Sequence, residues 1–311
     1  MKIIFFGSPS YSCIVLNKIL EKSYDIVGII TQDQHKIKNN KYKKTPVGEF
    51  GEKASIKTFY PSNINDPLFL KEINELSPDI FLVYSFGKML PENILNIPKI
   101  GSINIHCSLL PSWRGAAPIQ RSLLNDDDVT GITFFEINNT LDQGNIISSF
   151  KYSVSNEDDS LILQEKLSNL AADNIIDILK LFSNKPKLIS QNNDNVSYAP
   201  KIEKSEAIIN WDKNCREIFC KVRAFVGWPV AETSFFDTSF KVWKVSYEEI
   251  KLDETPGTII SFNRNFLGIK AADGIVKIEK LQLPGKNVIT TRDLYNSNTL
   301  FSKKIKSFFN K

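Results

Sequence analysis

Two histidines, His35 and His106, are all this chain of 311 residues offers for acid–base work near neutral pH, and a metal site built on several histidines is disfavoured by the same scarcity. His106 sits in the stretch Asn104-Ile105-His106-Cys107-Ser108-Leu109-Leu110-Pro111-Ser112-Trp113-Arg114-Gly115. In a strand, residues two apart share a face, so Asn104 and His106 point one way while Ile103, Ile105 and Cys107 point the other. A polar pair at the carboxyl end of a parallel strand stands where open α/β sheets place their ligands. A plainer reading has the two side chains hydrogen-bonding the next loop. Asp142 lies in Leu141-Asp142-Gln143-Gly144, a loop in which a turn aspartate is the default. Folded over the sheet edge it would meet His106, orient the imidazole and favour its charged form. Cys107, on the apolar face, reads as packing. Ser108 is too near His106 in sequence for a Ser-His-Asp triad, and no G-x-S-x-G elbow is present.

These residues need a sheet to hold them. Short apolar runs at Lys2–Phe6, Ile26–Thr31, Ile80–Tyr84 and Ser102–His106 read as strands, with helix-like pieces such as Tyr11–Lys22 and Pro67–Leu76 between them. Strands alternating with helices predict an α/β fold with a doubly wound, mostly parallel sheet covered on both faces. The first loop, Phe6-Gly7-Ser8-Pro9, lacks the G-x-G-x-x-G fingerprint of dinucleotide binding, so an NAD-dependent reading is weak. Apolar residues recur at helical spacing from Leu161 to Phe182. The polar stretch that follows predicts a linker at 190–204, between a domain of residues 1–189 and a second of 205–311. In the second, Trp243, Val245, Thr258–Ile260, Leu267–Ile269 and Ile275–Ile278 fall in short strands between turn residues, the pattern of a small β-barrel.

Composition agrees with two globular domains. Hydrophobic residues are 42% and charged residues 24%, close to ordinary usage, which rules out disorder or a coiled coil for the whole chain. A net charge of +4 does not by itself argue for nucleic acid. Four cysteines without close pairing make no disulfide framework, so a reducing cytoplasm is the expected home. The opening apolar run is too short for a signal peptide core of about 7–15 residues, and no run approaches the roughly 18 that a membrane span needs. No membrane association is expected.

Asn104-x-His106, Ser108-Leu109-Leu110-Pro111 and Leu141-Asp142-x-Gly144 together resemble the signature of the folate-dependent formyltransferases. Along nearly its whole length the chain is similar to the subgroup that acts on methionyl initiator tRNA. Ser112–Ser122, Phe6-Gly7-Ser8-Pro9 and Thr31-Gln32 carry that likeness in the first half; Tyr198-Ala199-x-Lys201-Ile202, Ile209-Asn210-Trp211, Arg223-Ala224-Phe225, Trp228-Pro229 and Pro256–Ile259 carry it in the second. The resemblance implies a Rossmann-like catalytic domain followed by an OB-like β-barrel that contacts tRNA, in a monomer without metal. It implies a 10-formyltetrahydrofolate donor and a formyl group passed to the α-amine of methionyl initiator tRNA. Asn104, His106 and Asp142 map onto the catalytic trio. Ser108, Leu109, Leu110 and Pro111 map onto the folate-contacting loop, and Phe86, Gly87, Met89, Leu90 and Pro91 fall where the pterin pocket is shaped. The chain departs from the family at Phe86, usually Tyr, and at Gln143-Gly144-Asn145, usually Thr-Gly-Asp.

The family inserts a basic loop after strand two that grips the acceptor end of tRNA. Here His35–Lys44 holds Lys36, Lys38, Lys41, Lys43 and Lys44 and no acid. Such a cluster can neutralise phosphates, and such runs are also commonly solvated faces. The arginine that many members carry there is absent, so the bidentate fork is lost. The basic tail with Lys303, Lys304, Lys306 and Lys311 would add electrostatic contact or fray. The alternatives are formyl transfer to an amino-sugar nucleotide, hydrolysis of the folate donor, and RNA binding without catalysis.

Overall fold

Ile3, Ile4, Phe5 and Phe6 are all fully buried. A continuous apolar run of this kind belongs in the middle of a sheet covered on both faces, and it forms β1 (Lys2–Gly7). The structure, a computed structural model, describes residues 1–32, 35–37, 41–235 and 238–297, without the side chains of 35–37, 41, 42 and 193. After β1 come α1 (Ser12–Glu21), β2 (Asp25–Ile30), β3 (His35–Ile37), β4 (Lys41–Lys43), α2 (Pro46–Lys53), β5 (Thr58–Phe59) and α3 (Pro67–Glu75). Then follow β6 (Ile80–Tyr84), α4 (Glu92–Leu95), β7 (Gly101–His106), β8 (Arg114–Gly115), α5 (Pro118–Leu124), β9 (Val129–Glu136), β10 (Ile146–Ser153), α6 (Ser160–Ser183) and β11 (Tyr198–Ala199).

Seven strands form one sheet in the order β10-β9-β7-β6-β1-β2-β5. The pairs β1–β2, β1–β6, β6–β7 and β2–β5 are parallel; β9 and β10 continue the sheet antiparallel. This is the doubly wound, mostly parallel sheet the alternation predicts. The chain leaves β1 toward β2 and later returns on the other side as β6, so strand order reverses at β1. The carboxyl ends of β1, β6 and β7 therefore border the crevice where open sheets bind ligands. Helix α6 buries Leu163, Leu167, Ala171, Ile175, Leu179 and Phe182, a stripe at helical spacing. Ser168 on the same helix meets the Tyr84 hydroxyl at 2.7 Å, which satisfies a phenol buried at the end of β6.

The chain divides into two compact units. One holds residues 1–118, 129–154 and 164–200; the other holds 119–128, 155–163 and the chain from Lys201 onward. In the second unit α7 (Cys215–Ala224) is followed by β12 (Ala231–Phe235), β13 (Thr238–Glu249), β14 (Ile259–Phe262), β15 (Leu267–Lys270), β16 (Gly274–Gln282), β17 (Val288–Thr290) and α8 (Thr291–Ser297). These strands make an antiparallel sheet in the order β12-β13-β16-β15-β14, with β17 paired to β16. Cys215, Ile218, Phe219, Cys220 and Val222 of α7 pack into the same core as Val242, Val276 and Ile278. Trp211 is fully buried there, its indole N–H donating to Thr233 Oγ1 at 3.0 Å.

Arg216 on α7 grips Asp126 with two hydrogen bonds of 2.6 Å. That hydrogen bonding holds the Asp126 carboxyl below its usual range. Both side chains are about a third exposed, so screening limits the pair to about 1 kcal/mol. Because the folded value is depressed, this stability is fully present above the unfolded carboxyl value of about 4. It is lost as pH falls through the folded value. Asp126→Asn is therefore expected to lower stability at pH 7 by about 1 kcal/mol. Urea unfolding at pH 7 and pH 3 checks this; the variant and parent should converge at the lower pH.

Candidate active site

His106 ends β7 and is 5% exposed. Its Nε2–H donates to the Trp113 carbonyl at 2.8 Å. A carbonyl only accepts, so in the neutral ring the proton sits on Nε2 and Nδ1 carries the lone pair. Nδ1 lies 3.8 Å from Asp142 Oδ2. That oxygen also accepts the Gly115 backbone N–H at 2.9 Å. The structure thus brings together His106 and Asp142, although they lie 36 positions apart in the chain. Asn104 lies two residues back on the same strand face, half-buried, in register with Phe135 of β9. Its placement beside His106 follows from strand periodicity. The arrangement offers one exchangeable nitrogen, a carboxylate beside it and a neighbouring carboxamide, aligned along the carboxyl edge of β7.

The segment from Trp113 to Gly115 touches both members of the pair, and the chain around 191–199 holds that segment. The Trp113 N–H donates to Ser197 Oγ at 2.9 Å, the Arg114 N–H to the Ser197 carbonyl at 2.9 Å and the Ala116 N–H to the Ala199 carbonyl at 2.8 Å. β8 and β11 form a short parallel ladder, Arg114 beside Tyr198 and Gly115 beside Ala199. The polar stretch expected to link two domains is, from Gln191 to Ala199, part of the frame of the first unit.

The Ser108–Pro111 loop is shaped by Thr133, a fully buried threonine of β9. Its hydroxyl donates to the Ser108 carbonyl at 2.7 Å and accepts the Leu110 N–H at 3.0 Å. The Ser108 hydroxyl donates to the Ser112 carbonyl at 2.6 Å and is fully buried, so it is committed to the loop. Leu110 is buried, Leu109 and Pro111 are half-buried, and the Leu110–Pro111 peptide is cis. After β6, Phe86 and Leu90 pack in the core with Phe6, Phe81 and Ile94. Gly87 and Met89 are exposed and Pro91 is half-buried. The Phe86 carbonyl accepts Gln32 Nε2 at 2.7 Å, which ties the loop after β2 to the loop after β6. Gly87 there has φ +80°, a conformation that favours glycine. Cys107 is buried; burial pushes its thiol up to about 11, which keeps it protonated and inert, as its packing role requires.

Of the basic cluster, Lys36 lies in β3 and Lys41 and Lys43 in β4, which pair antiparallel. Lys38 lies outside the described residues, as do Lys303, Lys304, Lys306 and Lys311. Lys43 is exposed. Lys44 is paired instead, with Glu52 at 2.5 Å on α2, and Tyr60 donates to the same carboxylate at 3.1 Å. Local sequence showed no acid in the run because the partner sits on the next helix.

Sequence reasoning missed Thr133 and Gln191. Thr133 stands in an apolar strand, and Gln191 in a polar stretch without periodicity, so neither carries a local signal. Among the described residues, no helix is long and apolar enough to cross a membrane, and no group of three or more His, Cys, Asp or Glu stands where it could hold a metal ion.

Residues 1–179 match the formyl transferase family and residues 201–299 match the formyl transferase C-terminal domain. A methionyl-tRNA formyltransferase of Dictyoglomus thermophilum is 38% identical over 307 residues, 96% of this chain and 98% of that protein. One from Clostridioides difficile is 35% identical over 303 residues, again 96% and 98%. A crystal structure of HypX from Aquifex aeolicus in complex with tetrahydrofolic acid has TM-score 0.69 at 15% identity, covering 100% of this chain and 51% of that one. At that identity the likeness speaks for the fold. With both domain types matched in order, and full-length relatives more than a third identical, the chain belongs to the methionyl-tRNA formyltransferase family of formyl transferases.

Proposed function

We propose that this protein transfers the formyl group of 10-formyltetrahydrofolate to the α-amine of methionine esterified to initiator tRNA, with Asn104, His106 and Asp142 as the catalytic side chains. The observation that carries the reading is His106 Nδ1 facing Asp142 Oδ2 at 3.8 Å while Nε2 is already spent on the Trp113 carbonyl. One ring nitrogen is anchored and the other is left for chemistry.

Formyl transfer to an amine builds negative charge on the formyl oxygen as the amine nitrogen bonds the formyl carbon. Asn104 donates a carboxamide N–H to that oxygen, and His106, when its ring holds a second proton, donates Nδ1–H. Each such donor is worth about 3–4 kcal/mol in the transition state. Asp142 sits beside the imidazolium and balances its charge. It also takes the proton the attacking amine must lose, directly or through water. Collapse restores the carbonyl, breaks its bond to the donor nitrogen and returns a proton to that nitrogen. Leu109, Pro111, Gly87 and Met89 offer a partly exposed, mostly apolar surface to a flat heterocycle. Ser108, Leu110, Phe86, Leu90 and Pro91 hold the two loops in shape.

The reading assigns catalysis to the first unit, with 191–199 as part of its frame rather than a linker, and tRNA contact to residues 205–311. Lys36, Lys38, Lys41 and Lys43 supply charge toward the acceptor end, with Lys44 partly neutralised by Glu52. Purified protein with 10-formyltetrahydrofolate and methionyl initiator tRNA should give formyl-methionyl-tRNA, with no donor loss when tRNA is omitted. Formylation of an amino-sugar nucleotide instead, or donor loss without tRNA, overturns the reading. Apparent tRNA affinity should fall steeply with salt, and Lys43→Gln should reduce the log–log salt slope by about 1. An unchanged slope removes Lys43 from the tRNA contact.

A further inference from the structure

Asp142 has φ +51°, a left-handed conformation uncommon outside glycine. Such a residue keeps its place only where its surroundings over-determine it. Its side chain is met by Gly115, and its backbone is met by Gln191. Gln191 Nε2 donates to the Asp142 carbonyl at 2.9 Å and to the Gly144 carbonyl at 2.8 Å. Gln191 Oε1 accepts from Arg114 Nε at 3.0 Å and Nη2 at 2.7 Å. A carboxamide has two N–H donors and two acceptor lone pairs, and this one uses all four. The pattern also fixes which way the amide points. Flipped, its NH₂ would face guanidinium donors and its oxygen would face two carbonyls.

Gln191 is half-buried and Arg114 is 3% exposed. Its own backbone belongs to β8, between the Trp113 carbonyl that anchors His106 and the Gly115 N–H that anchors Asp142. Gln191 therefore closes a ring: from β8 through the Arg114 side chain to Gln191, from Gln191 to the Asp142 loop, and from the Asp142 carboxylate back to β8.

We infer that Gln191, with Arg114, is a positioning residue for formyl transfer, setting the distance between Asp142 and His106. This rests on the reading that Asp142 is catalytic. Glu at 191 keeps the acceptor for Arg114 and removes both donors to the loop. Asn keeps the chemistry on a stem one methylene too short. Ala removes everything.

The test is a double-mutant cycle on the full chain, read as kcat and KM in tRNA formylation beside the melting temperature. Gln191→Ala and Gln191→Glu are each expected to lower kcat about tenfold or more, with little change in KM for either substrate. In an Asp142→Asn background, the same changes should cost almost nothing further, because the group they position is already gone. Full additivity in that background, or wild-type kcat in both Gln191 variants, overturns the inference. If Gln191→Ala fails to fold, Gln191→Glu, which keeps the bond to Arg114, carries the cycle. Failure of the underlying reading looks different: Asp142→Asn alone would then retain turnover, whatever the Gln191 variants do.

Discussion

His106→Ala is expected to cut kcat for formylation by about 100- to 1,000-fold, because it removes an oxyanion donor worth about 3–4 kcal/mol. The fold should survive. β7 is held in register by its backbone pairing to β6 and β9 and by the buried Ile103 and Ile105, not by the imidazole. The structural cost is one hydrogen bond, which leaves the Trp113 carbonyl without its His106 donor. A loss of that kind is worth about 1–3 kcal/mol. Single-turnover formylation with saturating donor separates the two effects, since folded variant binds tRNA and donor yet transfers slowly. A folded His106→Ala protein with parental turnover would remove His106 from the chemistry. His106→Gln makes the test sharper. Its carboxamide can still donate to Trp113 but cannot place a second exchangeable proton beside Asp142, so stability should recover further than kcat.

How much of this was legible beforehand differs from element to element. β1 and β6 were readable because a short, unbroken apolar run between turn residues has few other places to go. The stripe on α6 was readable because its residues repeat at helical spacing. Asn104 and His106 could be found because strand periodicity puts them on one face and histidine is scarce. Asp142 was different. Its loop allowed contact with His106 but nothing in its spacing required it, and a catalytic role came only from the likeness to a family. Gln191 had no signal at all. Its four hydrogen bonds reach residues 47 to 77 positions away, and a polar, aperiodic stretch reads as linker unless the partners are known. A simple boundary near 190 also could not anticipate that 119–128 and 155–163 group with the second unit, since α5 and α6 each belong in part to both.

Gly115→Ala should damage stability and turnover together, and the reason is backbone geometry. Gly115 has φ +128°, which L side chains rarely adopt. A Cβ built there stands 2.6 Å from the Ala199 carbonyl oxygen and 3.1 Å from its carbon. Those are backbone atoms, so no rotamer change relieves the clash. β8 has to move off β11. Strain of this kind costs about 1–3 kcal/mol, and the displaced ladder bonds add to it. The same shift carries the Gly115 N–H away from Asp142 Oδ2 and the Trp113 carbonyl away from His106 Nε2. A displacement near 1 Å at reacting groups can cost about 100-fold in rate. Gly285→Ala is the control. It also has a left-handed φ, +67°, but its built Cβ meets nothing within 4 Å. It should show only the modest backbone penalty, about 1 kcal/mol, and parental kcat. Urea unfolding and single-turnover rates on both variants distinguish the cases. If Gly115→Ala loses stability but keeps parental kcat, the β8 segment packs against the site without aligning it, and the positioning of Asp142 has to come from its own loop and Gln191 alone.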